Sequence, residues 1–184
     1  MKMKVFHKLT KELVTNVKRF ESENFFTREE RTPEHQAKEQ EKFFSQPRAW
    51  ILVFEESDII GRIMLHKRKI EFNKKDIILG GIGGVCTRLD KRNQGIATMM
   101  LERAMKILKK WDCDLAYLCA EIKKTGALYD QIGFVPLNRP YTFYGRSGKL
   151  HEQNNGMIAP INSREIFEEV LRSKDKLHLG NGNW

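Results

Sequence analysis

The sequence predicts a single α/β domain spanning residues 1–184, built on a central mixed sheet with helices on its faces. Three observations carry this. First, a nearly uncharged strand, Ile77 to Thr87, is followed by the clearest amphipathic helix in the chain and then by a short apolar strand, Leu115 to Ala120. A long helix between two strands implies a crossover and therefore parallel pairing. Second, the strands before Ile77 are joined by short polar turns, which implies an antiparallel meander. Third, 184 residues without an internal repeat or a linker are the size of one domain, large enough for a core without disulfides or metals.

In chain order, Lys4 to Leu9 alternates as a short edge strand. Thr10 is placed to cap a helix in which Leu13, Val14, Val17 and Phe20 recur at helical spacing. Thr32-Pro33-Glu34 reads as a second helix start, with proline at the first helical position, and the polar segment to Ser45 covers one side of a sheet or cleft. Ala49 to Glu55 and Ile59 to Ile70 are strands, separated by the turn Glu56-Ser57-Asp58. The turn Asn73-Lys74-Lys75-Asp76 leads into Ile77. Gly80, Gly81, Gly83 and Gly84 interrupt the next strand, marking a bulge or the close approach of another backbone or a ligand.

The helix is predicted from Asn93 to Trp111, with Ile96, Met99, Met100, Ala104, Ile107 and Leu108 on its apolar face. Thr125 to Ile132 forms a short helix stopped by Gly133. Phe134 to Leu137 begins another strand, and Tyr141 to Tyr144 continues the sheet. Gly145 to Gly148 is a loop, and Met157 to Ile161 is a last strand. Ser163 caps a helix from Arg164 to Ser173, and the tail from Gly180 to Trp184 is irregular. The C-terminal extension is placed at about 150–184.

Composition narrows the function classes. No apolar run approaches the ~20 residues of a membrane span, and the basic start lacks an apolar signal core, so a cytoplasmic location is expected. Three cysteines with no C-x-x-C spacing read as free thiols in a reducing compartment, and the five scattered histidines show no metal-ligand spacing, so no metal is expected. A net charge of +9 asks for an anionic partner such as nucleic acid, an anionic membrane or a polyphosphate cofactor. Nucleic acid is disfavoured because no stretch interleaves aromatic and basic residues on one face. A second copy of the chain is left open as a partner.

The chemistry concentrates where the glycine-broken strand meets the helix. A helix N-terminus presents unpaired N–H groups and a partial positive charge, and so binds phosphate. There the sequence reads Arg92-Asn93-Gln94-Gly95-Ile96-Ala97, followed downstream by Leu128-Tyr129-Asp130-Gln131-Ile132-Gly133-Phe134. This order resembles the GCN5-related N-acetyltransferase (GNAT) superfamily, with its Q/R-x-x-G-x-G/A cofactor motif and its following L-Y-x-x-x-G-F helix. The resemblance covers roughly Ile77 to Leu137 and is thin beyond Leu150. Gly-Ile-Gly-Gly-Val-Cys-Thr before the motif, together with Trp184, looks most like the branch of aminoglycoside 2′-N-acetyltransferases and nodulation-type acyltransferases.

The resemblance implies acetyl-CoA as co-substrate. Val85, Cys86 and Thr87 would offer backbone groups to the pantetheine arm in a splay between parallel strands, and Arg92, Asn93, Gln94, Gly95, Ile96, Ala97 and Thr98 would hold the pyrophosphate. It further implies direct attack of an amine on the thioester, with Tyr129 donating to the leaving thiolate. An alkylammonium of pKa ~10.4 must first lose its proton, which costs ~4 kcal/mol at pH 7.4. The strand that often carries the family's glutamate base has no ionisable side chain other than a thiol, so Glu121 leads as the base and His66 follows. The acceptor is expected to be a small-molecule or peptide amine. Alternatives are a longer acyl chain, a CoA-binding domain without catalysis, and a basic nucleic-acid-binding module.

Overall fold

A computed structural model describes residues 1–24 and 32–184. Its main sheet has seven strands in the order β1-β2-β3-β4-β5-β9-β6. β1 (Lys2–Phe6) forms one edge and pairs antiparallel with β2 (Ala49–Glu55). β2, β3 (Asp58–Phe72) and β4 (Lys75–Thr87) form the antiparallel meander, turning at Glu56 and at Asn73-Lys74, all with positive φ. The crossover helix α3 (Ile96–Lys110) then carries the chain to β5 (Leu115–Cys119), which pairs parallel with β4. Beyond β5, α4 (Ile122–Asp130) and β6 (Val135–Pro136) lead to the other edge of the sheet. β9 (Gly156–Pro160) inserts between β5 and β6, antiparallel to both.

The two faces of the sheet bury different side chains, as the period-2 alternation of a strand demands. Ile63, Leu65, Ile82, Ala116 and Leu118 face α3 and α4, meeting Met100, Leu101, Ala104, Leu108 and Tyr129. The opposite face carries Leu79, Leu115, Tyr117 and Ile158, covered by α5 (Arg164–Arg172) and by a second sheet. α1 (Lys11–Asn24) covers the rest of that face, packing Val17 and Phe20 on Leu52, Ile59 and Cys86. The helix caps fall where expected. Thr10 Oγ1 accepts from Leu13 N at 3.2 Å, and Thr32 Oγ1 accepts from His35 N at 3.2 Å to start α2 (Pro33–Lys42). Ser163 Oγ likewise accepts from Ile166 N at 3.2 Å.

Several expectations are corrected. Tyr141 to Tyr144 does not continue the main sheet; as β7 it is the centre of a second sheet, β10-β7-β8, with β8 (Leu150–Gln153) and β10 (Leu177–Asn181). The tail is irregular only in part: Gly180 and Asn181 belong to β10, which pairs parallel with β7, while residues 182–184 have no regular structure although Trp184 is only 5% exposed. α3 begins at Ile96 rather than Asn93, because Asn93 (φ +60°) and Gly95 (φ +77°) both take left-handed backbone. α4 begins three residues early, which makes Glu121 its N-cap residue instead of the end of a strand.

Candidate active site

β4 and β5 pair over three residues only, Leu79 with Leu115 through Gly81 with Tyr117. Beyond that point β5 runs on through Leu118 and Cys119 against β9, while β4 runs on to Thr87 against β3. From Ile82 onward the β5-facing edge of β4 is therefore unpaired among the described residues. A bulge lies just beyond the separation: the β3–β4 register shifts between Arg62 and Met64, opposite Gly84, whose φ is +56°. An extra residue on one strand bends it and re-aims its edge. The slot opens toward the N-terminus of α3, so the splay and the helix end are continuous features.

The glycines of β4 accommodate side chains from other parts of the protein. A Cβ at Gly81 would lie 2.1 Å from the Trp184 indole, and one at Gly84 would lie 2.5 Å from the Arg62 guanidinium. Gly95 differs, since nothing lies within 4 Å of its would-be Cβ. Its requirement is the left-handed φ, which lets the chain turn into α3, whose first-turn N–H groups at Ile96, Ala97 and Thr98 have no partner within the helix.

The loop before α3 is held from behind. Arg92 Nε donates to Thr87 O at 3.3 Å and its Nη2 donates to Asn24 O at 3.1 Å. Asn24 Oδ1 in turn accepts from Leu89 N at 3.1 Å, clasping the 3₁₀ turn Leu89–Lys91. Gln94 Nε2 donates to Asp90 O at 3.2 Å. Arg92 and Gln94 thus shape the loop, and its main chain is what faces outward. Cys86 turns its thiol into the α1 packing, and burial pushes that thiol up to about 11. The Thr87 hydroxyl is buried with no hydrogen-bond partner among the described residues, a polar orphan at the end of the slot. A free sheet edge, an orphaned hydroxyl and an open helix N-terminus in sequence fit an elongated ligand with amides at one end and phosphates at the other.

Tyr129 sits on the α3–α4 face, packed edge-on to Phe134 with ring centroids 6.2 Å apart. Burial, with the Cys119 thiol nearby, pushes its hydroxyl up to about 12, so it is held as a proton donor. Glu121 is not brought to this point. Its side chain is 65% exposed and forms a surface ion pair with Lys124 at 2.7 Å.

His66 lies on the other face, opposite Gly81 in the β3–β4 ladder. It is 3% exposed and stacks on Trp184 (5.3 Å between centroids, 12° between planes). Arg68 covers the same indole at 4.4 Å and donates to the carbonyls of Leu179, Asn181 and Gly182, fastening the C-terminal segment. Asn183, fully buried, receives Tyr117 Oη at 3.3 Å and donates to Tyr141 Oη at 3.1 Å. The Cys119 thiol meets Trp184 O at 3.3 Å. Sequence reasoning missed this polar network and the pairing of buried Arg62 with Glu21. Asn183 in a Gly/Asn-rich tail carries no local signal, and Arg68 does not stand out between Lys67 and Lys69.

Comparison with known proteins agrees with this geometry. The family profile described as Acetyltransferase (GNAT) domain matches residues 5–137. Chaetomium thermophilum Naa20, solved with a bisubstrate analogue, superposes with a TM-score of 0.61 at 15% identity, covering 98% of this chain and 97% of that one. The Escherichia coli GNAT family N-acetyltransferase YhbS, solved with CoA, gives 0.61 at 11% identity, covering 97% and 89%. A GCN5-related N-acetyltransferase from Kribbella flavida gives 0.55 at 12% identity over 77% of this chain, which spans 35% of that protein's length. No curated protein matches the sequence significantly. None of these matches singles out the aminoglycoside 2′-N-acetyltransferase branch. With a matched family profile over most of its length and the splayed strand pair in place, the chain belongs to the GNAT acetyltransferase domain family, acyltransferases that use acetyl-CoA as co-substrate.

Proposed function

We propose that this protein transfers the acetyl group of acetyl-CoA to a primary amine by direct attack in a ternary complex. The observation that carries the reading is the divergence of β4 and β5 after Gly81, opening onto the Gly95 turn. In this reading the main chain of Val85, Cys86 and Thr87 holds the pantetheine arm, and the N–H groups from Arg92 to Thr98 hold the pyrophosphate. Acetyl-CoA supplies the activated thioester carbonyl. Tyr129 keeps its proton at neutral pH and delivers hydrogen bonding, then the proton, to the sulfur that leaves. In the balance one C–N bond forms, one C–S bond breaks, and one proton passes from nitrogen to sulfur. Glu121 lies on the surface paired with Lys124 and His66 is covered by Trp184, so in this reading neither is assigned as the base.

The acceptor is a small molecule or the amine of a peptide. A polycation such as an aminoglycoside fits poorly, because Arg62 and Arg68 lie on the acceptor face and Glu21 is committed to Arg62. Glu29 and Glu30, which could add carboxylates, lie outside the described residues. The test is thermal unfolding with acetyl-CoA, followed by thiol release against a panel of amines. Millimolar acetyl-CoA is expected to raise the Tm, and an unchanged Tm would remove the cofactor assignment. Tyr129→Phe is expected to lower turnover by roughly 10²-fold while the Tm shift persists; wild-type turnover would take Tyr129 out of the mechanism.

A further inference from the structure

We propose that residues 182–184 form a self-inhibitory plug. Seated as they are, they close the face of the β4–β5 slot from which an amine would reach the thioester, and the acceptor enters only after they swing out. This rests on the acetyltransferase reading above and adds a control to that site.

The plug spans the slot from strand to strand. A Cβ on Gly83, which lies on β4 beyond the last parallel rung, would be 3.0 Å from the Trp184 carbonyl carbon. On β5, also beyond that rung, the Cys119 thiol donates to Trp184 O at 3.3 Å. The Trp184 indole continues the cover over Gly81, the last residue of β4 still paired with β5. Tyr129 approaches from the other face, where α3 and α4 pack on the sheet. A thioester held between the strands with its sulfur toward Tyr129 therefore has Trp184 on the side left for the nucleophile.

Three features make this cover separable from the fold. Residues 182–184 follow β10 without regular structure, and Gly180 (φ +80°) and Gly182 (φ +72°) place a left-handed joint on either side of Asn181. Their main-chain anchors are few: Gly182 N donates to Tyr144 O at 2.8 Å, and Asn183 N donates to Lys42 O at 2.8 Å. Lys42 ends α2, a helix that buries none of its residues. Beneath the indole, the His66 ring is 3% exposed, and neither of its nitrogens completes a hydrogen bond among the described residues. Buried polar atoms are nearly always paired, so the seated indole carries a cost that its departure relieves. Against these, Arg68 holds the carbonyls of Gly182 at 2.9 Å and Asn181 at 2.6 Å, and Asn183 Nδ2 donates to Tyr141 Oη and Gln153 Oε1. The seated form is thus the resting state. An acceptor that binds only the open form loses apparent affinity by the reciprocal of the open fraction. A plug seated about 99% of the time weakens binding about a hundredfold.

The experiment uses the full chain, with glycinamide as the amine probe. Amide hydrogen exchange followed by NMR is expected to show Gly182 and Asn183 exchanging roughly tenfold or more faster than the amides of β5. Exchange as slow as that of β5 would make residues 182–184 permanent core and overturn the proposal. Thiol release from saturating acetyl-CoA is then measured at low glycinamide. Gly182→Ala is strained at φ +72°, and its Cβ would lie 3.3 Å from the Phe44 ring and from Ser45 N, so it unseats the segment without emptying the core. Trp184→Ala removes the cover itself. Both are expected to release thiol roughly tenfold or more faster than the wild type while keeping the acetyl-CoA shift in Tm. Release no faster than wild type overturns the proposal, and where Trp184→Ala no longer unfolds cooperatively, Gly182→Ala alone decides. Failure of acetyl-CoA to shift the Tm of the wild type sinks the underlying cofactor reading instead, so the two failures are distinguishable.

Discussion

His66 illustrates what a single buried group imposes on the protein. Its folded pKa lies near 3, below the ordinary 6.5, so between those values the unfolded chain binds a proton that the native state refuses. Stability attributable to His66 is therefore complete above about pH 6.5 and is lost as pH falls toward 3, with a limiting slope of about 1.4 kcal/mol per pH unit. Urea unfolding at pH 4.5 and 7 is expected to show that slope, and His66→Gln should flatten it. Gly95 makes a different kind of demand. With φ at +77° and no atom within 4 Å of a Cβ, Gly95→Ala meets no clash, only left-handed strain of roughly 1–2 kcal/mol. A bulkier Gly95→Val is expected to abolish the acetyl-CoA shift in Tm with modest loss of intrinsic stability. A retained shift would place the phosphates away from this turn.

At the scale of elements, the splay depends on where the parallel ladder starts. Asp114 governs that start: its carboxylate accepts from Ile78 N at 2.7 Å, and its carbonyl accepts from Ile161 N at 3.0 Å and Asn162 N at 3.2 Å. One residue thus sets the first rung of β4–β5 and fastens the exit of β9. Asp114→Ala strands the Ile78 N–H, and an expected loss of about 1–3 kcal/mol follows, measurable as a lower urea midpoint. Much of this level was legible in the sequence. The meander, the crossover helix, the capped helices α1, α2 and α5 and the loop at Gly95 follow from local chemistry, because period, caps and turn residues act over a few positions. What was not legible depends on distant partners. Tyr141 to Tyr144 reads as a strand from its residues, but which sheet it joins is decided by β10, more than thirty positions later. The glycines of β4 mark close approach, but the Trp184 ring that approaches them comes from the far end of the chain.

For the whole molecule, the second hydrophobic cluster is completed by its last residues. Leu177, Leu179 and Trp184 fill space between Tyr117, Tyr141 and Phe167, and Arg68 ties their backbone to β3. The region beyond residue 150, where family resemblance is thin, is thus part of the core that packs on the sheet face carrying His66 and Arg68. Trp184→Ala removes a side chain that is 5% exposed and is expected to cost about 3–5 kcal/mol, as large buried truncations do. Calorimetry that finds less than about 1 kcal/mol would mean the cluster closes without it.

The stack at Trp184 also gives the protein a built-in optical reporter. Its indole lies between the guanidinium of Arg68 and the imidazole of His66, shielded from water, whereas Trp50 and Trp111 are only partly buried. Emission from Trp184 should be the bluest of the three, and it will respond to any proton or hydrogen bond gained by the ring stacked against it. Intrinsic fluorescence of the unlabelled protein can therefore follow changes around the C-terminal segment in real time.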